Sequence, residues 1–372
     1  MIKTEKRAKN KRRSGPARTR RREHGGPGRL RPRKAGGSKD RKTPVRQRWL
    51  EKAYEDGWHD GVHMSSAMNE EWHRLANQHW NEWVGRTGFR AASWKEYHAA
   101  AKRYLEGYVS RNGFSGDEKI LWSTVQPVAV VITAMNEEIS LPKVLKQIDR
   151  LPFHQIIIVV NGSTDGTLEA ARRCERAQIL HYPEPLGHDV GRAIGAQLSS
   201  SEIVLFLDGD MVIPAESLIP FVQAVDRGLD VALNDISPFV GRFHQRDSVT
   251  ILKEFVNRVQ RRDDLKMNSL TAVPHALSRR ALDTIGCFRL AVPPLAQAVA
   301  IRRGLRVGTA ASIDVISWNR QRKENVGAMN PVSEMITGDH WEAMAYLLKG
   351  EGDRLKFPDW IRDRKKAEGG LK

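Results

Sequence analysis

Cysteine is nearly missing: Cys174 and Cys287 are the only two in 372 residues. Two cannot build a disulfide framework, and neither sits in a C-x-x-C or similar ligand spacing. A disulfide-stapled fold and a structural zinc site are thereby excluded, and a reducing compartment is expected. No run approaches the roughly 18 apolar residues that a membrane-spanning helix requires. No apolar stretch follows the N-terminal charges, so no secretory signal is read and a cytoplasmic protein is expected. Apolar residues are also scarce before Val45, where basic residues and Gly-Gly pairs dominate. Such a segment cannot bury enough surface to offset the entropy of ordering, and 1–45 is expected to be a disordered basic tail.

The net charge of +17 is local to that segment. Residues 1–50 hold 20 Lys and Arg against 3 Asp and Glu, which leaves 41 of each kind in 51–372. The body is neutral and carries no nucleic-acid recognition motif, which excludes sequence-specific nucleic-acid binding. Either the tail is a solubilising extension or it tethers the protein to an anionic membrane or polymer, at the inner membrane surface for example.

What is present falls into three zones. Seven of the ten tryptophans lie in 46–125, and Trp72, Leu75, Ala76, Trp80 and Trp83 recur at near-helical spacing, as do Tyr97, Ala101, Tyr104, Leu105 and Tyr108. A Trp-rich helical module is expected there, with two or three helices broken around Gly57, Gly61, Gly85 and Gly88. From Pro127 the period changes. Short β-branched runs at 128–133, 156–160, 179–182 and 203–207 alternate with helical patterns at 139–148, 166–174, 189–198 and 215–225. That alternation implies an α/β domain over 126–325, a mostly parallel sheet with helices on both faces. A helical extension is expected over 326–372.

In such sheets ligands bind at the carboxyl ends of the strands, and the polar clusters of this sequence lie there. The first strand runs into Ala134-Met135-Asn136-Glu137-Glu138, the second into Asn161-Gly162-Ser163-Thr164-Asp165-Gly166-Thr167, and the fourth into Asp208-Gly209-Asp210. Two carboxylates one residue apart at a strand end suit a hard divalent cation, Mg²⁺ or Mn²⁺, that bridges a diphosphate. Asp165 can accept hydrogen bonds from a ligand or simply cap the helix that follows. Glu137 can be no more than a first-turn acid favoured by a helix dipole, and Arg192 can pair with a phosphate or lie on the surface.

Together these motifs, with Gly191-Arg192-Ala193-Ile194-Gly195-Ala196, resemble a family-2 glycosyltransferase with the GT-A fold. A fainter match continues from Thr271 through Pro274-His275-Ala276 to Ile285-Gly286. The resemblance implies that Ala134, Glu137 and Asp165 hold the nucleoside of a nucleoside-diphosphate-sugar, that Arg192 lies near its phosphates, and that Asp208 and Asp210 bind the metal and donor. Inverting members commonly carry a Glu-Asp pair after the returning segment, one acid serving as base. The comparable stretch here is Ala291-Val292-Pro293-Pro294-Leu295, and no Asp or Glu occurs between Asp283 and Asp314. Asp235 and His275 are the first candidates for the missing base, with Asp283 and Asp314 behind them. Two readings follow: an inverting, metal-dependent glycosyltransferase acting on a lipid, polymer or small-molecule acceptor, or a catalytically impaired GT-A-like protein that binds a nucleotide or glycan.

Overall fold

A computed structural model of the chain describes residues 43–63, 71–112, 118–317 and 331–362, with 364 and 366. The basic tail expected over 1–45 lies almost wholly outside the described residues. Residues 45–372 form one compact unit.

Three helices come first: α1 (Thr43–Asp60), α2 (Trp72–Thr87) and α3 (Trp94–Ser110). Their shared core is aromatic, with Trp80, Trp83, Tyr104 and Tyr108 fully buried among Ala76, Phe89 and Leu105. Trp80 and Trp83 stack at 5.0 Å, and their indole N–H groups find Tyr97 Oη at 2.6 Å and Asp56 Oδ2 at 2.7 Å. The stripe is therefore packing surface, with the polar handles of buried indoles satisfied.

The glycines behave differently from the sequence expectation. Gly57 does not break α1. It lies inside the helix, where an added Cβ would stand 2.1 Å from the Tyr104 carbonyl oxygen, and Gly107 on α3 is as close to the Tyr54 carbonyl. The two glycines let α1 and α3 cross in backbone contact. Gly85 is likewise inside α2, whereas α1 ends at Asp60 with Gly61 opening the 3-10 turn that follows, and Gly88 ends α2 in the left-handed conformation.

The sheet follows: β1 (Val128–Ala134), β2 (Gln155–Asn161), β3 (Ala177–Tyr182), β4 (Ile203–Asp208), β5 (Val231–Asn234), β6 (His275–Ser278) and β7 (Val307–Ala311). Their order is β3-β2-β1-β4-β6-β5-β7, and β6 alone runs antiparallel to its neighbours. This is the mostly parallel sheet expected from the strand–helix alternation. Helices α4 (Leu141–Asp149), α5 (Thr167–Arg172) and α7 (Ala215–Asp226) cover one face. On the other lie α6 (Val190–Leu198), α9 (Arg279–Ile285) and α10 (Pro293–Arg302). Two further helices, α8 (Ser248–Val259) and α11 (Pro331–Glu351), share an apolar cluster with α10. Among the described residues no helix is long and apolar enough to cross a membrane.

The helical layer is joined to the sheet by one extended segment. Trp122 packs edge-on against Phe153 in the sheet core. Asn77 of α2 accepts the Trp122 N–H at 2.9 Å and donates to the Thr124 carbonyl at 3.0 Å, and Thr124 donates to Asp226 at 2.7 Å. Replacing Gly57 by alanine is expected to destabilise the protein. Alanine gains about 1 kcal/mol of helix propensity, whereas overpacking against immovable backbone costs about 1–3 kcal/mol. A Gly57→Ala variant should unfold at a lower temperature than the parent; an equal or higher Tm would show that the helices do not meet there.

Candidate functional site

The carboxyl ends of β1, β2 and β4 meet, as strand adjacency dictates. Two loops are knitted across them. Asn136, at φ 58°, donates its backbone N–H to Ser163 Oγ at 3.1 Å and accepts the Thr164 N–H at 2.9 Å. Glu138 donates its N–H to Asp165 Oδ2 at 3.2 Å and accepts the Gly166 N–H at 3.0 Å. Asp165 Oδ1 accepts from the Thr167 N–H at 3.0 Å and from the Thr167 hydroxyl. Burial works against the charge of Asp165, but these bonds prevail and hold its carboxyl below the usual carboxylate range. Asp165 thus acts as a brace between loops as well as standing at the crevice. Glu137 is 2% exposed and its carboxylate takes the Ser140 hydroxyl, so it is turned inward.

Beside these loops, α6 lies directly on β1. Its glycine face permits this: a Cβ on Gly195 would stand 2.3 Å from Val131 Cγ1, and one on Gly191 2.8 Å from Thr133 Cγ2. The close approach brings Arg192 down to the strand ends. Arg192 is 6% exposed, and its guanidinium bridges two acids. Nη1 meets Asp189 Oδ1 at 2.6 Å, while Nη2 donates to both oxygens of Asp208 at 3.1 and 3.2 Å. Asp208 also accepts the Thr133 hydroxyl at 3.0 Å. Burial would lower the Arg192 pKa, but Asp189 and Asp208 outweigh it and raise it, with a smaller contribution from Asp210. Burial raises the Asp189 carboxyl, which Arg192 only partly offsets. Arg192 is therefore buried beside Asp208 rather than on the surface, with carboxylates at Nη1 and Nη2.

Asp208 and Asp210 are both half-buried at the end of β4, and Gly209 packs against Ala134, where a Cβ would come to 2.9 Å. Among the described residues no third His, Cys, Asp or Glu joins them in a metal-ligand cluster. Two carboxylates are nonetheless an adequate protein share for Mg²⁺ or Mn²⁺, which keep water and substrate phosphate as their remaining ligands.

Both candidates for a base have physical objections. His275 opens β6 at 1% exposure, with Nδ1 3.0 Å from the Ala272 carbonyl and its ring stacked on Phe206. Burial and the nearby Arg192 charge push its pKa down to about 3. It is a core histidine, too enclosed to serve as the base. Asp235 follows β5, on the same edge of the sheet as Asp208. Its Oδ1 accepts from the Ser237 N–H, the Ser237 hydroxyl and Asn268 Nδ2. Burial opposes its charge, but those bonds hold its pKa below normal, which makes it a weak proton acceptor and a clamp between β5 and Asn268.

Two residues that the sequence did not single out carry displaced pKa values. Lys253 of α8 is lowered to about 8 by burial and by the Arg192 charge, against the pull of Asp247 and Asp189. Asp339 of α11 is raised to about 6 by burial, by Asp189 and by Glu342. Neither follows a strand, so no motif marks them; only the helix packing brings them near Asp189.

Acidic turns thus stand together at the carboxyl edge of a mostly parallel sheet. Residues 129–286 match the family described as Glycosyl transferase family 2. Among curated relatives, glycosyltransferase AglE of Haloferax volcanii is 35% identical over 115 residues, 29% of this chain and 36% of that protein. Undecaprenyl-phosphate 4-deoxy-4-formamido-L-arabinose transferase of Aeromonas hydrophila is 28% identical over 205 residues, 50% of this chain and 60% of that protein. The chain thus spans from about a third to three fifths of these relatives. Glucosyl-3-phosphoglycerate synthase from Mycobacterium tuberculosis, solved with Mn²⁺, uridine diphosphate and phosphoglyceric acid, superposes with a TM-score of 0.45 at 18% identity, covering 63% of this chain and 80% of that one.

Removing the Arg192 charge should be costly. Arg192→Met leaves Asp189 and Asp208 uncompensated, and breaking a buried pair in this way costs about 3–5 kcal/mol. The lower end applies, since the Asp208 side chain keeps 28% exposure. Without the guanidinium the buried Asp189 carboxyl, already raised by burial, protonates more readily, so the cost should shrink as pH falls from 7 to 5. Denaturant unfolding at both pH values checks this; unchanged stability at pH 7 contradicts the bridge.

Proposed function

We propose that the protein transfers a sugar from a nucleoside-diphosphate-sugar to an acceptor hydroxyl, inverting the anomeric centre. The observation that carries this reading is the pairing of Asp208 and Asp210 at the end of β4 with the knitted β1–α4 and β2–α5 loops beside them. Asp208 and Asp210 would hold a divalent cation, Mn²⁺ or Mg²⁺, whose contribution when bound is to neutralise charge on the departing diphosphate. The chain's own residues do the rest. Asp165, Ala134 and the loop backbone shape the nucleoside end of the crevice. Arg192 fixes the Asp208 carboxylate from beneath, so that little reorganisation accompanies donor binding. The basic segment 1–45 is assigned to electrostatic contact with an anionic membrane or polymer, which would hold the enzyme near a lipid or polymeric acceptor.

One observation favours the second reading, a GT-A-like binding protein: the stretch between Asp283 and Asp314 has no acid, and His275 and Asp235 are poorly suited to replace it. A thermal-shift screen separates donor binding from its absence. Uridine, guanosine and thymidine diphosphates with Mn²⁺ are compared, since a ligand that binds only the native state raises Tm by mass action. One nucleotide should stabilise the protein in a Mn²⁺-dependent way, and Asp210→Asn should abolish that increment while unfolding near the parent's temperature. A full metal-dependent increment in Asp210→Asn would remove the metal from this site.

A further inference from the structure

The geometry of the two C-terminal helices points to a proton acceptor outside the α/β motifs. The Arg302 guanidinium, at the end of α10, lies 5.0 Å from the Tyr346 ring centroid and donates to the Tyr346 carbonyl at 3.4 Å. Arg302 also fills the space beside Gly350. The last turn of α10 is therefore alongside the last turns of α11. Asp339 lies seven residues before Tyr346, about 10 Å back along the axis at 1.5 Å per residue. Pro293, which opens α10, lies nine residues before Arg302, about 14 Å back. Leu295 and Ala298 of α10 share one apolar cluster with Ala343, Met344 and Leu347 of α11, so the helices lie side by side. Arg302 meets Tyr346 while Leu295 and Ala298 cluster with Ala343 and Met344, so Asp339 lies level with the first turns of α10.

The first turns of α10 adjoin that crevice. Gln297 accepts the Leu270 N–H at 3.0 Å, and the Leu270 carbonyl lies 3.5 Å from Arg192 Nη1. The same turns are where the chain has prolines and no acid. Among the described residues the half-buried Asp339 carboxyl accepts no hydrogen bond and has no basic group at ion-pair distance. Asp165, Asp235 and Asp208 each spend carboxylate oxygens on protein donors. Asp339 keeps its own available.

We propose that Asp339, delivered from α11 beside the first turns of α10, takes the proton of the acceptor hydroxyl. The assignment rests on the transferase reading above. The acceptor oxygen bonds to the anomeric carbon as the bond from that carbon to the diphosphate oxygen breaks, and its electron pair leaves with the diphosphate. The hydroxyl proton passes to Asp339 and then to water. The groups facing Asp339 set its proton affinity: Asp189 from the start of α6, Glu342 from its own helix, and, farther off, Arg192 of α6 and Lys253 of α8 around Asp189. Acid neighbours and partial burial raise it toward about 6, so the base form prevails at neutral pH and is lost below.

Release of nucleoside diphosphate from UDP-glucose, GDP-mannose and dTDP-glucose is measured against pH with Mn²⁺, using water and a membrane-lipid extract as acceptors. In the wild type, turnover should fall about tenfold per pH unit below roughly pH 6. Asp339→Asn should lower the plateau by about 10²–10⁴-fold with the thermal shift by the matching diphosphate unchanged, and Asp339→Glu should recover part of the rate. Glu342→Gln removes an acid neighbour and should move the acid limb to lower pH without changing the plateau, a response that a merely structural role would not give. Asp339→Asn retaining more than a tenth of the rate, or an acid limb that Glu342→Gln leaves in place, overturns the assignment while transfer itself stands. A wild type that binds a diphosphate and releases none from any donor overturns the transferase reading and this one with it.

Discussion

Arg192 carries a permanent charge almost out of contact with water, and such a charge must be matched where it lies. The matching groups are Asp189 and Asp208, so one guanidinium ties the start of α6 to the end of β4. Much of the site follows from that tie. Helix α6 must lie close enough to β1 for the side chain to reach, which the Gly191 and Gly195 faces allow against Thr133 and Val131. Asp208 is then held from two sides, by Arg192 and Thr133, before any ligand arrives. Burial of Asp189 raises its carboxyl, and the same acid bears on Asp339 and Lys253, so the electrostatics of the C-terminal helices begin at this bridge.

The strand–helix alternation from Val128 to Val225 was legible in the sequence because each strand is a short β-branched run and each helix has one apolar face. The observed elements differ from the expected ones by a few residues at their ends. The acidic turns were legible for the same reason: a polar cluster right after a buried strand can only stand at the sheet's carboxyl edge. The glycines of the helical layer misled. A glycine that breaks a helix and one that lets two helices touch look alike in one dimension, and Gly57 is of the second kind. His275 misled in a related way, since its place in a returning segment gives no hint that Phe206 and the Ala272 carbonyl enclose it.

Lys253 and Asp339 were invisible at that level because they are 45 and 131 residues beyond Asp208, on helices with no motif of their own. Their environment is created by packing: α11 on α10 and α8, and α8 near Asp189. A fold that lacks acids on α10 can still bring one to the same end of the sheet from a neighbouring helix. The α/β domain would then supply donor binding while the C-terminal helix supplies the proton acceptor.

The central claim is that the end of β4 is a metal–diphosphate site pre-set by Arg192. Crystals grown with Mn²⁺ and the nucleoside diphosphate that best stabilises the protein, with diffraction recorded at the manganese absorption edge, test it most directly. The account requires an anomalous peak within direct coordination distance, roughly 2.0–2.3 Å, of an Asp210 or Asp208 carboxylate oxygen, with the Arg192–Asp208 contact kept. Manganese bound elsewhere, or diphosphate bound with no metal between it and β4, would contradict it.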